Sequence, residues 1–453
     1  MKEPFRILSA AAMLGYGFPV ESFEAGMSKH PHLIAADAGS TDPGPYYLGA
    51  GKSFTNRTAV KRDLTIMIKA GLKAKIPIII GSAGGSGAKP HLDWCTDIVL
   101  EIARDNNLHF KLALISADFE KSRLKDELAA GNISALDPAP ELIVDAIDAS
   151  THIVAQMGVE PIIRALDGNP DVILAGRAYD PSIFAALPIK LGYDQALALH
   201  LGKILECAAI CATPGSGSDC MFGTLYEDSF VLEPLNPIRA CTTQSVAAHT
   251  LYEKSNPYML YGPGGHLDLR DCAFIQETDT SVRVSGSRWI PATPYTIKLE
   301  GARPIGYRTV SIAGARDPIM ISAIDQITEA VSERVADNFR ELNWTYHLRF
   351  NIYGKNGVMG VLEPTPSTEG VHELGIVIEA TADTQDQADT ICSFARSTLL
   401  HYGYPGRRAT AGNLAFPYSP SDISTGRTFV FSLYHLMAVA DPAEPFPVTF
   451  KDV

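Results

Sequence analysis

Basic blocks, long apolar runs and paired cysteines are all missing from this chain of 453 residues. No block of five or more Lys/Arg occurs, and the net charge is −13 with a pI near 5.4. That balance argues against a nucleic-acid or anionic-membrane partner. No stretch reaches the roughly 18 apolar residues of a membrane span. The N-terminal "MKEPFRILSAAAMLGYG" sets Glu3 and Arg6 beside a short apolar run broken by glycines, and reads as a first strand rather than a signal sequence. The seven cysteines (95, 207, 211, 220, 241, 272, 392) are odd in number and form no CxxC pair. Buried free thiols in a reduced, cytoplasmic protein are therefore expected, not a zinc or disulfide framework.

Three chemical fingerprints are absent too. In the loop after the third apolar run, Gly81 is followed by Ser86 with no Gly-Lys-Ser/Thr, and Gly85-Ser86-Gly87 runs into Ala88, Lys89 and Pro90. These spacings exclude a Walker A loop and a dinucleotide fingerprint. A Gly-x-Ser-x-Gly nucleophile elbow is missing at this strand-to-helix junction.

What is present is a series of short apolar runs: 5–12, 33–39, 77–82, 110–117 and 171–178. Runs that do not alternate with polar residues suit a sheet covered on both faces. Helical stretches at 58–74 and 92–107 lie between them, so the order predicts an α/β fold, a doubly wound and mostly parallel, Rossmann-like sheet, over residues 1–280. Beyond about residue 280 alternating strands and two helices, 319–339 and 385–403, predict a C-terminal α+β domain of split βαβ type over 281–453.

In parallel sheets ligands bind beyond the carboxyl ends of the strands, and those positions carry the candidate residues. Asp37 closes the second run and Ser40, Thr41 and Asp42 follow it. Two carboxylates across a turn can divide acid and base work or hold Mg²⁺ or Mn²⁺. Equally, Asp37 can cap backbone N–H groups and Asp42 can open a turn before Pro43. After the third run, Ser82, Gly84, Gly85 and Ser86 form a small-residue loop whose N–H groups suit an anion, with Lys89 adding charge. "AGRAYDPS" supplies Arg177, a fork for a carboxylate, and Asp180, which can bind substrate or cap the helix behind it. Glu206 lies on an apolar helix, where burial would raise its pKa toward proton transfer at neutral pH, or where it pairs with a base. His266 follows a glycine turn and is a loop acid/base candidate.

Taken together, "LIAADAGSTDPGPYYLGAG", "IPIIIGSAGGSGA", "LAGRAYDPS", "ILEC" and "IKLEGARPIGYRTVSIAGARDP" resemble the acyclic terpene utilisation (AtuA-like) family across nearly the whole chain. The resemblance implies a catabolic protein; the family's founding member belongs to citronellol and geraniol breakdown. One departure stands out. Where the family follows Glu-Cys with Gly-Ala and a paired-glycine turn, this chain has Ala208, Ala209 and Ile210, then "ATPGSGSD".

The convergence of carboxylates, Arg177 and N–H-rich loops predicts a lyase or isomerase, without cofactor or assisted by Mg²⁺ or Mn²⁺. It would hydrate, dehydrate or isomerise a double bond next to the acid group of a small carboxylate or its CoA thioester. In that reading Asp37, Asp42, Glu206 and Arg177 are catalytic, and Ser40, Thr41, Ser82, Gly84, Gly85, Ser86, Lys89, Asp180 and His266 bind substrate. A homo-oligomer is expected. The same residues also admit a ligase or transferase subunit binding an acyl-CoA or nucleotide, or a non-catalytic binding partner.

Overall fold

The computed structural model describes residues 2–453. All five apolar runs are strands: Phe5–Ser9, Leu33–Asp37, Ile78–Gly81, Lys111–Ile115 and Val172–Ala175. They pair in parallel, in the spatial order first, second, third, fifth, fourth. The last strand thus inserts between two that precede it. Antiparallel strands extend this sheet, Met221–Leu225 beside the first strand and Val448–Asp452 beside Lys111–Ile115. Every residue of Leu33–Asp37 is buried, which is why the run shows no alternation. Each fully buried Leu or Ile there contributes about 1.5–3 kcal/mol.

The covering helices begin and end where local chemistry directs. Asn56 caps Arg57–Ala74 by accepting from Thr58 N, and Lys75 closes it in a left-handed conformation. Asp194 caps Gln195–Leu205 by accepting from Leu197 N at 2.8 Å. Nothing on that second helix is exposed to solvent, so its charged residues must find partners inside the protein.

The chain divides into two compact units, one ending at Arg303 and completed by Phe431–Val453, the other Pro304–Val430. The texture change near residue 280 falls inside the first unit, whose antiparallel strands begin already at Met221–Leu225. The chain crosses between units inside two long strands, Tyr295–Ala315 and Asp422–Val439. In the first unit, Lys298–Ala302 pair antiparallel with His152–Gln156.

The second unit has the expected split βαβ order. Its strands lie as Tyr346–Tyr353, Leu374–Ala382, the second half of Tyr295–Ala315 and the first half of Asp422–Val439. Helices Ile324–Phe339 and Gln385–His401 bury Ile327, Val331, Ile391 and Ala395 with Ile376 and Ile378 of the sheet. Among the described residues no helix is long and apolar enough to cross a membrane.

Candidate functional site

The strand ends of the first unit converge as the parallel topology requires. Asp37 is the last residue of its strand, and Arg177 to Asp180 follow Val172–Ala175 directly. Helix Gln195–Leu205 and the residue after it bring Lys203 and Glu206, three apart, onto one face, where the Lys203 Nζ donates to the buried Glu206 carboxyl. Between these elements lie two cavities. The smaller, about 140 Å³, is lined by Asp37, Ser40, Asp42, Asp180, Glu206 and Cys207 among others. The larger, about 800 Å³, is lined by Arg177, Tyr179, Lys203, Lys254, His266 and Lys298 together with apolar Leu136, Ala292 and Leu436. Asp42, Asp180, Glu206 and Glu253 border both.

The electrostatics of this junction are unusual for carboxylates. Burial foremost, and the Asp180 charge next, push Asp37 well above the usual carboxylate range, against Arg177 and a 3.1 Å hydrogen bond from Gly39 N. Its Oδ1 is buried without a partner. Glu206 is pushed up to about 8, again by burial first and with Asp180 adding to it, although Lys203 opposes the shift. Its Oε2 is likewise buried and unpartnered. The helix thus presents a carboxyl that exchanges its proton near neutral pH.

Arg177 departs from its expected role as a substrate clamp. Its Nε donates to Glu300 Oε2 at 2.7 Å, and its Nη1 reaches Ala178 O at 3.0 Å, Ser82 Oγ at 3.3 Å and Asp180 Oδ1 at 3.4 Å. The charge that needed a partner has one inside the chain. Glu300 also accepts from Thr41 Oγ1 at 2.7 Å and pairs with Lys298 at 2.9 Å. Burial alone would raise Glu300, but Arg177 and Lys298 outweigh it and hold the carboxyl well below the usual range.

The glycine loop also departs from expectation, because Ser82, Gly84, Gly85 and Ser86 are fully buried and line neither cavity. Ser82 N and Ala83 N donate to Gly176 O and Ala175 O, and a Cβ on Gly87 would stand 2.1 Å from Arg177 N. Small residues are needed there for close backbone packing behind Arg177. Lys89 is exposed and pairs with Asp93 at 2.5 Å, away from both cavities. Thr41 acts behind the site, through Glu300. Asp180 does not cap the following helix, whose start shows no side-chain cap, but faces both cavities. Asp42 accepts from Ser40 Oγ at 2.6 Å. Among the described residues no three His, Cys, Asp or Glu are grouped to hold one metal ion.

Four site residues escaped the sequence reading: Lys203, Lys254, Lys298 and Glu300. Two carried a legible signal, since Lys203 stands three before Glu206 on a helix and Lys298 two before Glu300 on a strand, spacings that place each pair on one face.

The family model described as acyclic terpene utilisation family protein AtuA matches residues 51–220 and 230–420, most of the chain. The chain belongs to this family. No curated protein and no solved structure matches it. The departure from the family turn falls at a telling position. Ala208 has a φ of 45°, a left-handed backbone that glycine adopts without strain and alanine does not.

Proposed function

We propose that the protein is an enzyme of acyclic terpenoid breakdown. It would move a proton next to the acyl group of a small branched carboxylic acid or its CoA thioester, and so hydrate, dehydrate or isomerise the adjacent double bond. The observation that carries this reading is Glu206, a buried carboxyl with a proton affinity near neutrality at the junction of two cavities. The apolar wall of Leu136, Ala292 and Leu436 suits a branched hydrocarbon chain. Family membership supports the terpenoid origin of that chain.

In this scheme Asp37, whose burial favours its protonated form, delivers a proton, and Glu206 removes one once it is ionised. Their opposite duties follow from environments that bias one carboxyl toward the acid form and tune the other to neutral pH. Arg177, braced by Glu300, holds Asp180 and the strand end in place at the wall of the larger cavity.

Incubation in D₂O with geranic acid and its CoA thioester tests the reading by mass spectrometry. Deuterium should enter at or beside the α-carbon, and Glu206→Gln should stop the exchange while binding persists. Turnover without exchange, or full exchange in Glu206→Gln and Asp37→Asn alike, overturns it.

A further inference from the structure

Lys254 differs from the other cations of the larger cavity. Lys203 is paired with Glu206, Lys298 with Glu300, and Arg177 with Glu300 and Asp180. The Lys254 side chain makes no salt bridge or hydrogen bond among the described residues; its Nζ lies 5.6 Å from the centre of the Tyr179 ring. It follows helix Thr243–Thr250, which a reciprocal Thr242–Ser245 capping box fixes at its start. An amine with no carboxylate to hold its proton, set among other cations, is the arrangement that frees a lysine for nucleophilic work.

We propose that Lys254 is an amine nucleophile that condenses with the ketone carbon of a branched oxo acid held in the larger cavity, forming an imine. This rests on the proton-moving reading of the same site and names its substrate class.

The Nζ lone pair attacks the carbonyl carbon and a C–N bond forms. The carbonyl oxygen takes a proton from the Glu206 carboxyl, and the resulting carboxylate recovers one from the nitrogen. A second such transfer lets the oxygen leave, so that both amine hydrogens depart with it as one water. No electrons are exchanged with a third reagent. The imine, once protonated, acidifies the neighbouring C–H, which is the proton that the site is proposed to move.

The surroundings favour this step. Burial first, then the charge of Lys203 and further that of Lys298, pull the Lys254 ammonium below the usual lysine range, against Glu206 and Asp180. An ammonium carries three donors. Lys203 and Lys298 each keep donors beyond the one their glutamate accepts, and these suit the acid's own carboxylate. Leu136 and Leu436 leave an apolar wall for the branch.

The full chain is treated with sodium cyanoborohydride and either 4-methyl-2-oxopentanoate or 3-methyl-2-oxobutanoate, and digested for peptide mass mapping. Lys254 should carry the reduced adduct roughly tenfold faster than any other lysine. Lys254→Met should remove that adduct, whereas Lys69→Met at an exposed position should leave it unchanged. Labelling spread over exposed lysines, labelling that survives Lys254→Met, or none with either acid overturns the proposal. Mapping of the unaltered chain decides the matter even if Lys254→Met fails to fold. The two readings separate in D₂O: adduct without α-exchange removes the proton-moving role and keeps the imine, and exchange that Lys254→Met leaves intact does the reverse.

Discussion

Arg177 Nε donates to Glu300 Oε2 at 2.7 Å, and both side chains are buried. Two charges withdrawn from water in this way tolerate poorly the loss of one partner, because the survivor stays buried without compensation. Glu300→Gln strands both Arg177 and Lys298, and it should lower the unfolding free energy by about 3–5 kcal/mol in urea titration. Arg177→Lys keeps the charge, yet one ammonium cannot reproduce the planar fork that spans Glu300, Ser82 and Ala178. It too should be clearly destabilised. Wild-type unfolding midpoints in either variant would mean that the pair contributes nothing to the fold.

Two glycines of the buried loop should behave differently although they stand two residues apart. A Cβ on Gly87 would meet Arg177 N at 2.1 Å, a backbone atom that cannot move aside, whereas one on Gly85 meets nothing closer than Phe54 N at 3.6 Å. Gly85→Ala should cost only the strain of its φ of +104°, about 1–2 kcal/mol. Gly87→Ala should cost more and should displace Arg177. Circular dichroism melts of the two variants, side by side, check the order; equal losses would contradict the packing account.

How far the sequence could be read depends on whether the relevant signal is local. The five parallel strands were legible because residues such as Leu33 to Ala36 are apolar on both faces, a pattern that only a covered sheet demands. Asp37, Asp180 and Glu206 were legible as candidates because strand ends and a carboxylate on an apolar helix attract notice. The glycine loop misled, since an anion cradle and a tightly packed turn require the same small residues, and only the proximity of Arg177 N distinguishes them. Glu300 escaped because its partner is 123 positions away in the chain. Lys254 escaped because the absence of a partner cannot be seen in a sequence at all.

Ala208 offers a test in the stabilising direction. Its φ of 45° places a side chain where the backbone favours glycine, and it lies immediately after the Glu206-Cys207 pair. Ala208→Gly relieves the left-handed strain of roughly 1–2 kcal/mol, less the extra chain entropy that glycine loses on folding, roughly 0.5–1 kcal/mol. The variant should therefore gain up to about 1.5 kcal/mol in urea unfolding. A clear loss would show that the alanine methyl, fully buried, contributes more by packing than the backbone gives up.

The pH dependence of stability isolates Glu206. Burial foremost lifts its pKa in the folded protein from an ordinary 4.5 to about 8, so between those values the folded chain holds a proton that the unfolded chain has released. A group of this kind stabilises most below the unfolded value, and its contribution is lost as pH rises through the folded one. The contribution of Glu206 to wild-type stability should therefore fall between pH 4.5 and 8, with a slope of up to about 1.4 kcal/mol per pH unit. Glu206→Gln resembles the protonated carboxyl in shape and charge but cannot ionise. Its stability relative to wild type should rise steadily across the same interval and level off beyond it. Asp37, raised for similar reasons, keeps some pH dependence in the variant, so the difference between the two profiles is the quantity that belongs to Glu206. Parallel profiles from pH 4.5 to 9, measured as urea midpoints, would mean that Glu206 ionises in the folded protein as it does in water, and the case for it as the group that exchanges a proton near neutrality would fail with them.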